Sequence, residues 1–201
     1  MQTEETTTKL TARYIDSADA AKLMRKNLAR EFPGVKFSVK ISRYAGGSSI
    51  RVGWTDGPTE AMVQKITAPF SGKGFDGMID MEYFKNSWLC PDGRVTFACS
   101  ESTEGSAGSI PAKFGLPPSP DAELVYFGSG YIFTNRKFTM AFILAVVARF
   151  KRTYGEADIE IREWDGGANA HADYNTGDEH RLNTMKARCF WMGGNLAEAK
   201  A

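Results

Sequence analysis

Between Phe32 and Pro58 the chain reads FPGVKFSVKISRYAGGSSIRVGWTDGP, a pattern that few folds accept. Val35, Phe37, Val39 and Ile41 alternate with Lys36, Ser38, Lys40 and Ser42, and Ile50, Val52 and Trp54 alternate with Ser49, Arg51, Gly53 and Thr55. A period of two puts each set on its own face, so both runs read as half-buried strands. The YAGGS segment between them predicts a hairpin turn, because Gly46 and Gly47 accept positive φ at little steric cost. Asp56, Gly57 and Pro58 end the second strand. Asp56 or Thr59 can then cap a helix over 59–69, with Met62, Val63 and Ile66 inward and Pro69 at its end.

The same reading organises the rest of the chain. Residues 1–15 read as a flexible N-terminus. A helix is expected from Ser17 to Phe32, on the spacing of Ala20, Met24 and Leu28, and Pro33 and Gly34 stop it. FDGMID, residues 75–80, is bounded by glycine and carries no periodic signal, and Asp76 reads as a turn residue. Residues 87–121 read as a loop-rich insertion, with a strand candidate around Val95 and Phe97 followed by ESTEGSAGS and GLPPSP. A second hairpin is expected from 124–127 and 131–134, joined through GSG. The longest helix follows, carrying Phe142, Ile143, Val146, Val147 and Phe150, with Thr139 as cap and Gly155 as stop. A strand over 156–161 closes the domain, and 164–201 reads as an extension in which 185–191 pack as one further element. The expected fold class is α+β: a mainly antiparallel sheet of two hairpins with helices on one face, in the order αββα then ββαβ, over 16–163.

Composition bears on the function class. With 42% hydrophobic and 24% charged residues the chain suits a soluble globular protein. MQTEETTTKL lacks a secretion pattern, and there is no apolar run of membrane-spanning length, so a cytoplasmic site and no membrane contact are expected. Cys90, Cys99 and Cys189 are an odd, sparse set, which predicts reduced thiols. The net charge of +1 is unevenly spread. Residues 1–55 hold ten Lys or Arg against five acids, and 56–123 hold five against ten. Such asymmetry makes a basic face only if folding keeps the two regions apart.

Residues able to do chemistry are sparse. Asp56, Asp76 and Asp80 are the carboxylates to consider for a hard cation, but each adjoins a turn where its side chain caps backbone amides instead. His171, His180 and Cys189 match no zinc spacing. No nucleophile–base pair and no phosphate loop is visible. The expectation is therefore a protein that is not an enzyme, with no cofactor and no metal. Lys36, Lys40, Arg43 and Arg51 on the polar face of the first hairpin, with Tyr44 beside them, are the candidates for contact with a partner or with nucleic acid. Gly46, Gly47, Asp56, Gly57 and Asp76 are assigned structural roles.

FPGVKFSVK, YAGGSSIRVGWTDGP, FDGMID and FGSGYIFTNR, in that order, resemble one of the large polyvalent protein associated domains, number twenty-nine of the series. The resemblance covers about residues 16–155. It implies a phage, plasmid or related mobile element in a bacterial host, and it supplies no catalytic residues. The expected function is a counter-defence protein that inhibits a host defence complex, of CRISPR or restriction type, by direct protein binding. The alternative is a DNA-associated accessory protein using the basic first helix and hairpin. Oligomeric state is not set by the sequence.

Overall fold

The structure is a computed structural model that describes residues 11–77, 80–98, 115–192 and 195–199 of the 201. In chain order its elements are β1 (Arg13–Ile15), α1 (Ser17–Glu31), β2 (Ser38–Tyr44), β3 (Gly47–Thr55), α2 (Glu60–Thr67) with a 3-10 turn at Ala68–Phe70, β4 (Lys73–Asp76), β5 (Met81–Phe84), β6 (Ser87–Leu89), β7 (Val95–Phe97), β8 (Glu123–Phe127), β9 (Tyr131–Lys137), α3 (Met140–Tyr154), β10 (Ile159–Trp164), β11 (Gly167–Ala172), α4 (Asp178–Arg188), β12 (Cys189–Met192) and β13 (Asn195–Glu198). The fold is α+β, with small, mostly antiparallel sheets. It divides into two compact units: Met1–Asn27, Ile41–Ile50 and Thr67–Ile132 form the first, and Leu28–Lys40, Arg51–Ile66 and Phe133–Ala201 the second.

The first hairpin follows its alternation. Ile50, Val52 and Trp54 are buried while Arg51 and Thr55 are exposed. β2, β3 and β9 form a three-stranded sheet in that order. At the turn Gly46 takes φ +87°, whereas Gly47 has an ordinary φ and belongs to β3. One glycine therefore carries the left-handed conformation, rather than both. Asp16 starts α1, its carboxylate accepting from the amides of Ala18 (2.7 Å) and Asp19 (2.8 Å). Thr59 caps α2 by accepting from the Met62 amide at 3.3 Å.

The first unit is built on a four-stranded sheet, β1-β8-β6-β7. β1 runs parallel to β8, with Tyr14 opposite Tyr126, and β6 is antiparallel to both β8 and β7. This corrects three expectations. Arg13–Ile15 is a strand instead of frayed terminus, because Ile15 is buried and pairs with Phe127. Residues 87–98 are part of the sheet rather than an insertion, since Trp88, Ala98 and Leu124 form a buried cluster; the expected loop over 99–114 lies outside the described residues. The expected second hairpin does not form, because β8 is flanked by β1 and β6. Gly128, Ser129 and Gly130 are no tight turn. Ser129 Oγ donates to Phe70 O at 2.8 Å, and Ser129 O accepts from the Gly72 amide at 2.8 Å. A Cβ at Gly128 would lie 2.2 Å from the hydroxyl of the exposed Tyr14, so a side chain here would displace that ring.

The second unit holds what the sequence reads as an extension. α3 begins at Thr139, whose hydroxyl accepts from the Phe142 amide, and ends at Gly155 with φ +90°. Its Phe142, Ile143, Val146 and Phe150 are fully buried with Ala168, Ala170, Leu182, Met185 and Cys189. Burying each large side chain contributes about 1.5–3 kcal/mol. The described residues from 167 to 198 thus complete a core instead of trailing from one. β10 and β11 form an antiparallel hairpin, as do β12 and β13.

Candidate functional site

In the first unit, Lys73–Asp76 and Met81–Phe84 pair as an antiparallel hairpin across a turn in which Asp80 takes φ +54°. Every residue of β5 is exposed. Side chains of directly opposed residues share a face. Lys73, Phe84, Phe75 and Glu82 therefore occupy one face, and Tyr83 and Met81 the other. Phe84 is 73% exposed, Met81 59% and Phe75 55%. The aromatic surface continues onto the four-stranded sheet. Phe84 meets Tyr126 edge-on at 5.7 Å between ring centroids, and Tyr126 lies 6.0 Å from Tyr14, itself 60% exposed. On the other face the Lys85 ammonium sits 5.5 Å from the Tyr83 ring and 5.4 Å from that of Phe97.

Most charge within this patch is neutralised. Lys73 Nζ donates to Glu82 Oε2 at 2.6 Å, and the Tyr131 hydroxyl donates to Glu82 Oε1 at 2.8 Å. These two hydrogen bonds hold the Glu82 carboxyl below its ordinary range, and the same contacts raise Lys73 and Tyr131. Burial raises the Tyr126 hydroxyl. Large exposed rings with paired charges among them form an apolar surface with a polar seam, the make-up of a protein contact patch.

The residues expected to make contacts are distributed as follows. Lys36, Lys40 and Arg51 are exposed in the second unit, and Arg43 and Tyr44 are exposed in the first. Arg43 contributes to lowering the Asp16 carboxyl, after the amides of Asp19 and Ala18. Lys36 also borders a cleft of about 640 Å³ lined by Pro33, Gly34, Val35, Thr55, Asp56, Gly57 and Trp191. The aromatic patch has no counterpart in the sequence reading. Residues 81–84 show no alternation because both faces of β5 are exposed, so periodicity gives no signal there. The sequence mark that was present is the grouping of Phe75, Tyr83 and Phe84 within FDGMIDMEYFK.

Asp56 and Gly57 have successive positive φ values, +53° and +50°. The Asp56 carboxylate accepts from the Thr139 amide (2.8 Å) and hydroxyl (2.7 Å), so it secures the start of α3 rather than capping α2. Arg136 donates to Asp56 O at 2.7 Å and to the carbonyls of Gly57 and Cys189, each at 2.9 Å. Burial pushes its guanidinium down to about 10, against the opposing pull of Asp56. This cluster organises backbone and leaves no carboxylate free for a cation. Asp76 closes β4, opposite Met81, and its side chain lies outside the described residues.

The structure places His171, His180 and Cys189 in different surroundings. His171 Nδ1 lies 3.5 Å from Glu179 Oε1, His180 is exposed and Cys189 is buried. Among the described residues no group of three or more His, Cys, Asp or Glu is placed to hold a metal ion. Cys90 and Cys189 are free thiols, and Cys99 lies outside the described residues. No helix among the described residues is long and apolar enough to cross a membrane.

Neither the curated proteins nor the solved structures compared with this chain gave a match. The model of one family, large polyvalent protein associated domain 29, matches residues 15–139, more than half of the 201. The match takes in α1, the first hairpin and the whole aromatic hairpin β4–β5, and it ends where α3 begins. The chain belongs to the large polyvalent protein associated domain 29 family, which is linked to mobile elements.

Proposed function

We propose that this chain is a non-enzymatic binding protein of a mobile element, that it inhibits a host defence complex of CRISPR or restriction type by direct protein contact, and that hairpin β4–β5 with Tyr14 and Tyr126 is the contact surface. One observation carries the reading: an exposed hairpin presents Phe75, Met81, Tyr83 and Phe84 to solvent while its Lys73 and Glu82 neutralise each other. Aromatic residues and methionine are enriched at interface centres, and unpaired charge there is costly. A partner that buries these rings removes apolar area worth about 25 cal/mol per Å². The defence complex as target rests on the mobile-element setting of the family, because a mobile element entering a bacterium meets such complexes first.

A challenge assay tests this. The chain is expressed in a bacterium with an active CRISPR or restriction system, and delivery of a targeted plasmid is counted. The expected result is rescue by the wild-type chain, no effect in a strain lacking the system, and no rescue by folded Phe84→Asp or Tyr14→Asp variants. Rescue by those variants equal to wild type would remove the assigned surface. No rescue in any strain carrying a defence system would remove the counter-defence function.

A further inference from the structure

Hairpin β4–β5 has an open edge as well as two faces. The Lys85 amide donates to Gly72 O at 2.8 Å, whereas the Lys73 amide turns away from β5 and donates to Gly130 O at 3.2 Å. Lys73 stands opposite Phe84, and Gly74 opposite Tyr83. Alternation in an antiparallel ladder therefore directs the N–H and C=O of Met81 and Tyr83 toward β4, and those of Glu82 and Phe84 to the far edge of β5. Among the described residues no strand lies along that edge, for β4 and β5 form a sheet of two. Proteins normally protect such an edge with proline, a bulge or an unpaired charge. β5 reads MEYF, and its one charge is already taken by Lys73 and Tyr131.

We propose that the open edge of β5 receives an extended, acidic segment of the protein partner as a third strand. This rests on the reading of the hairpin as a protein contact surface and specifies how the contact is made. The edge groups of Glu82 and Phe84 are spaced for another extended backbone, which a nucleic acid does not provide. The acidic character follows from Lys85, next to the edge, which is flanked by the Tyr83 and Phe97 rings; among the described residues no carboxylate pairs with it. Tyr83 and Met81 on that same face offer apolar contact to alternate side chains of the added strand.

The test uses a phage-displayed library of random twelve-residue peptides, selected on the full chain. Acid-containing peptides of high strand propensity should be enriched. As synthetic peptides they should bind the wild type, and should bind Glu82→Pro, which deletes one edge N–H, about tenfold or more weaker than Glu82→Ala. Circular dichroism establishes whether Glu82→Pro is folded. Independently of that variant, hydrogen exchange on the wild-type chain should show the Glu82 and Phe84 amides slowing when peptide is added, with the Lys85 amide already slow without it. No enrichment, equal binding by folded Glu82→Pro and Glu82→Ala, or unchanged exchange at Glu82 and Phe84 would each overturn strand addition. The selection needs no host, so its failure counts against this mode of contact, and failure of the challenge assay counts against the counter-defence function.

Discussion

Gly46 and Gly47 are neighbours with different constraints. At Gly46, φ is +87° and a Cβ would meet nothing within 4 Å, so the cost of substitution is purely conformational. A β-branched residue there pays about 1–2 kcal/mol for the left-handed backbone. At Gly47 the backbone is ordinary, and a Cβ would approach the tip of the exposed Tyr44 ring at 3.3 Å, which can move aside. Gly46→Val should therefore lower the urea midpoint clearly, and Gly47→Val by much less. Equal loss in the two variants would contradict the assignment of the turn to Gly46 alone. Asp56 shows the same logic for a polar residue: its positive φ and burial are offset by two hydrogen bonds to Thr139 and by the Arg136 contact to its carbonyl.

At the scale of elements, Glu179 ties α4 to β11. Burial would raise this carboxyl, but the Ala172 amide at 2.6 Å, the Asn183 amide group at 2.9 Å and the charges of Lys186 and His171 outweigh it, and the net shift is downward. Lys186 is lowered by its own burial, with Glu179 opposing, and donates to Asn169 Oδ1 (2.8 Å) and Ala170 O (2.7 Å). A carboxyl with a depressed folded-state value stabilises the fold above its unfolded value, 4.5, and that contribution disappears as pH falls through the lower folded value. Glu179→Gln should cost about 1–3 kcal/mol at pH 7. Below pH 4.5 the difference from wild type should shrink. Urea titrations at pH 7 and pH 3.5 measure it, and a constant difference would contradict the role. Elements whose signals are local were legible in the sequence: the alternation of β2 and β3, and α3 between Thr139 and Gly155. What failed was non-local. β8 resembles a hairpin strand, yet its partners β1 and β6 are distant in sequence or reached by a parallel pairing that no turn motif announces. The aromatic patch escaped for a related reason, since a strand exposed on both faces, as β5 is, has no buried side to set a period.

For the whole molecule, the proposed partner contact is set against a +1 net charge and a division into two units. The exposed basic residues Lys36, Lys40 and Arg51 belong to the second unit, and the aromatic hairpin belongs to the first. The two readings of function thus depend on different side chains, and substitution separates them. A protein that neutralises phosphates loses affinity and salt slope when its cations are reversed. A protein-contact patch instead loses affinity when a central ring is replaced, by about 2 kcal/mol or more at a hot spot. The most direct measurement is affinity capture from nuclease-treated host lysate, run side by side with the wild-type chain, Phe84→Asp, and the triple variant Lys36→Glu, Lys40→Glu, Arg51→Glu. The account predicts one and the same protein assembly with the wild type and the triple variant, and its loss with Phe84→Asp. Capture that vanishes with nuclease or in the triple variant, but persists in Phe84→Asp, would contradict it.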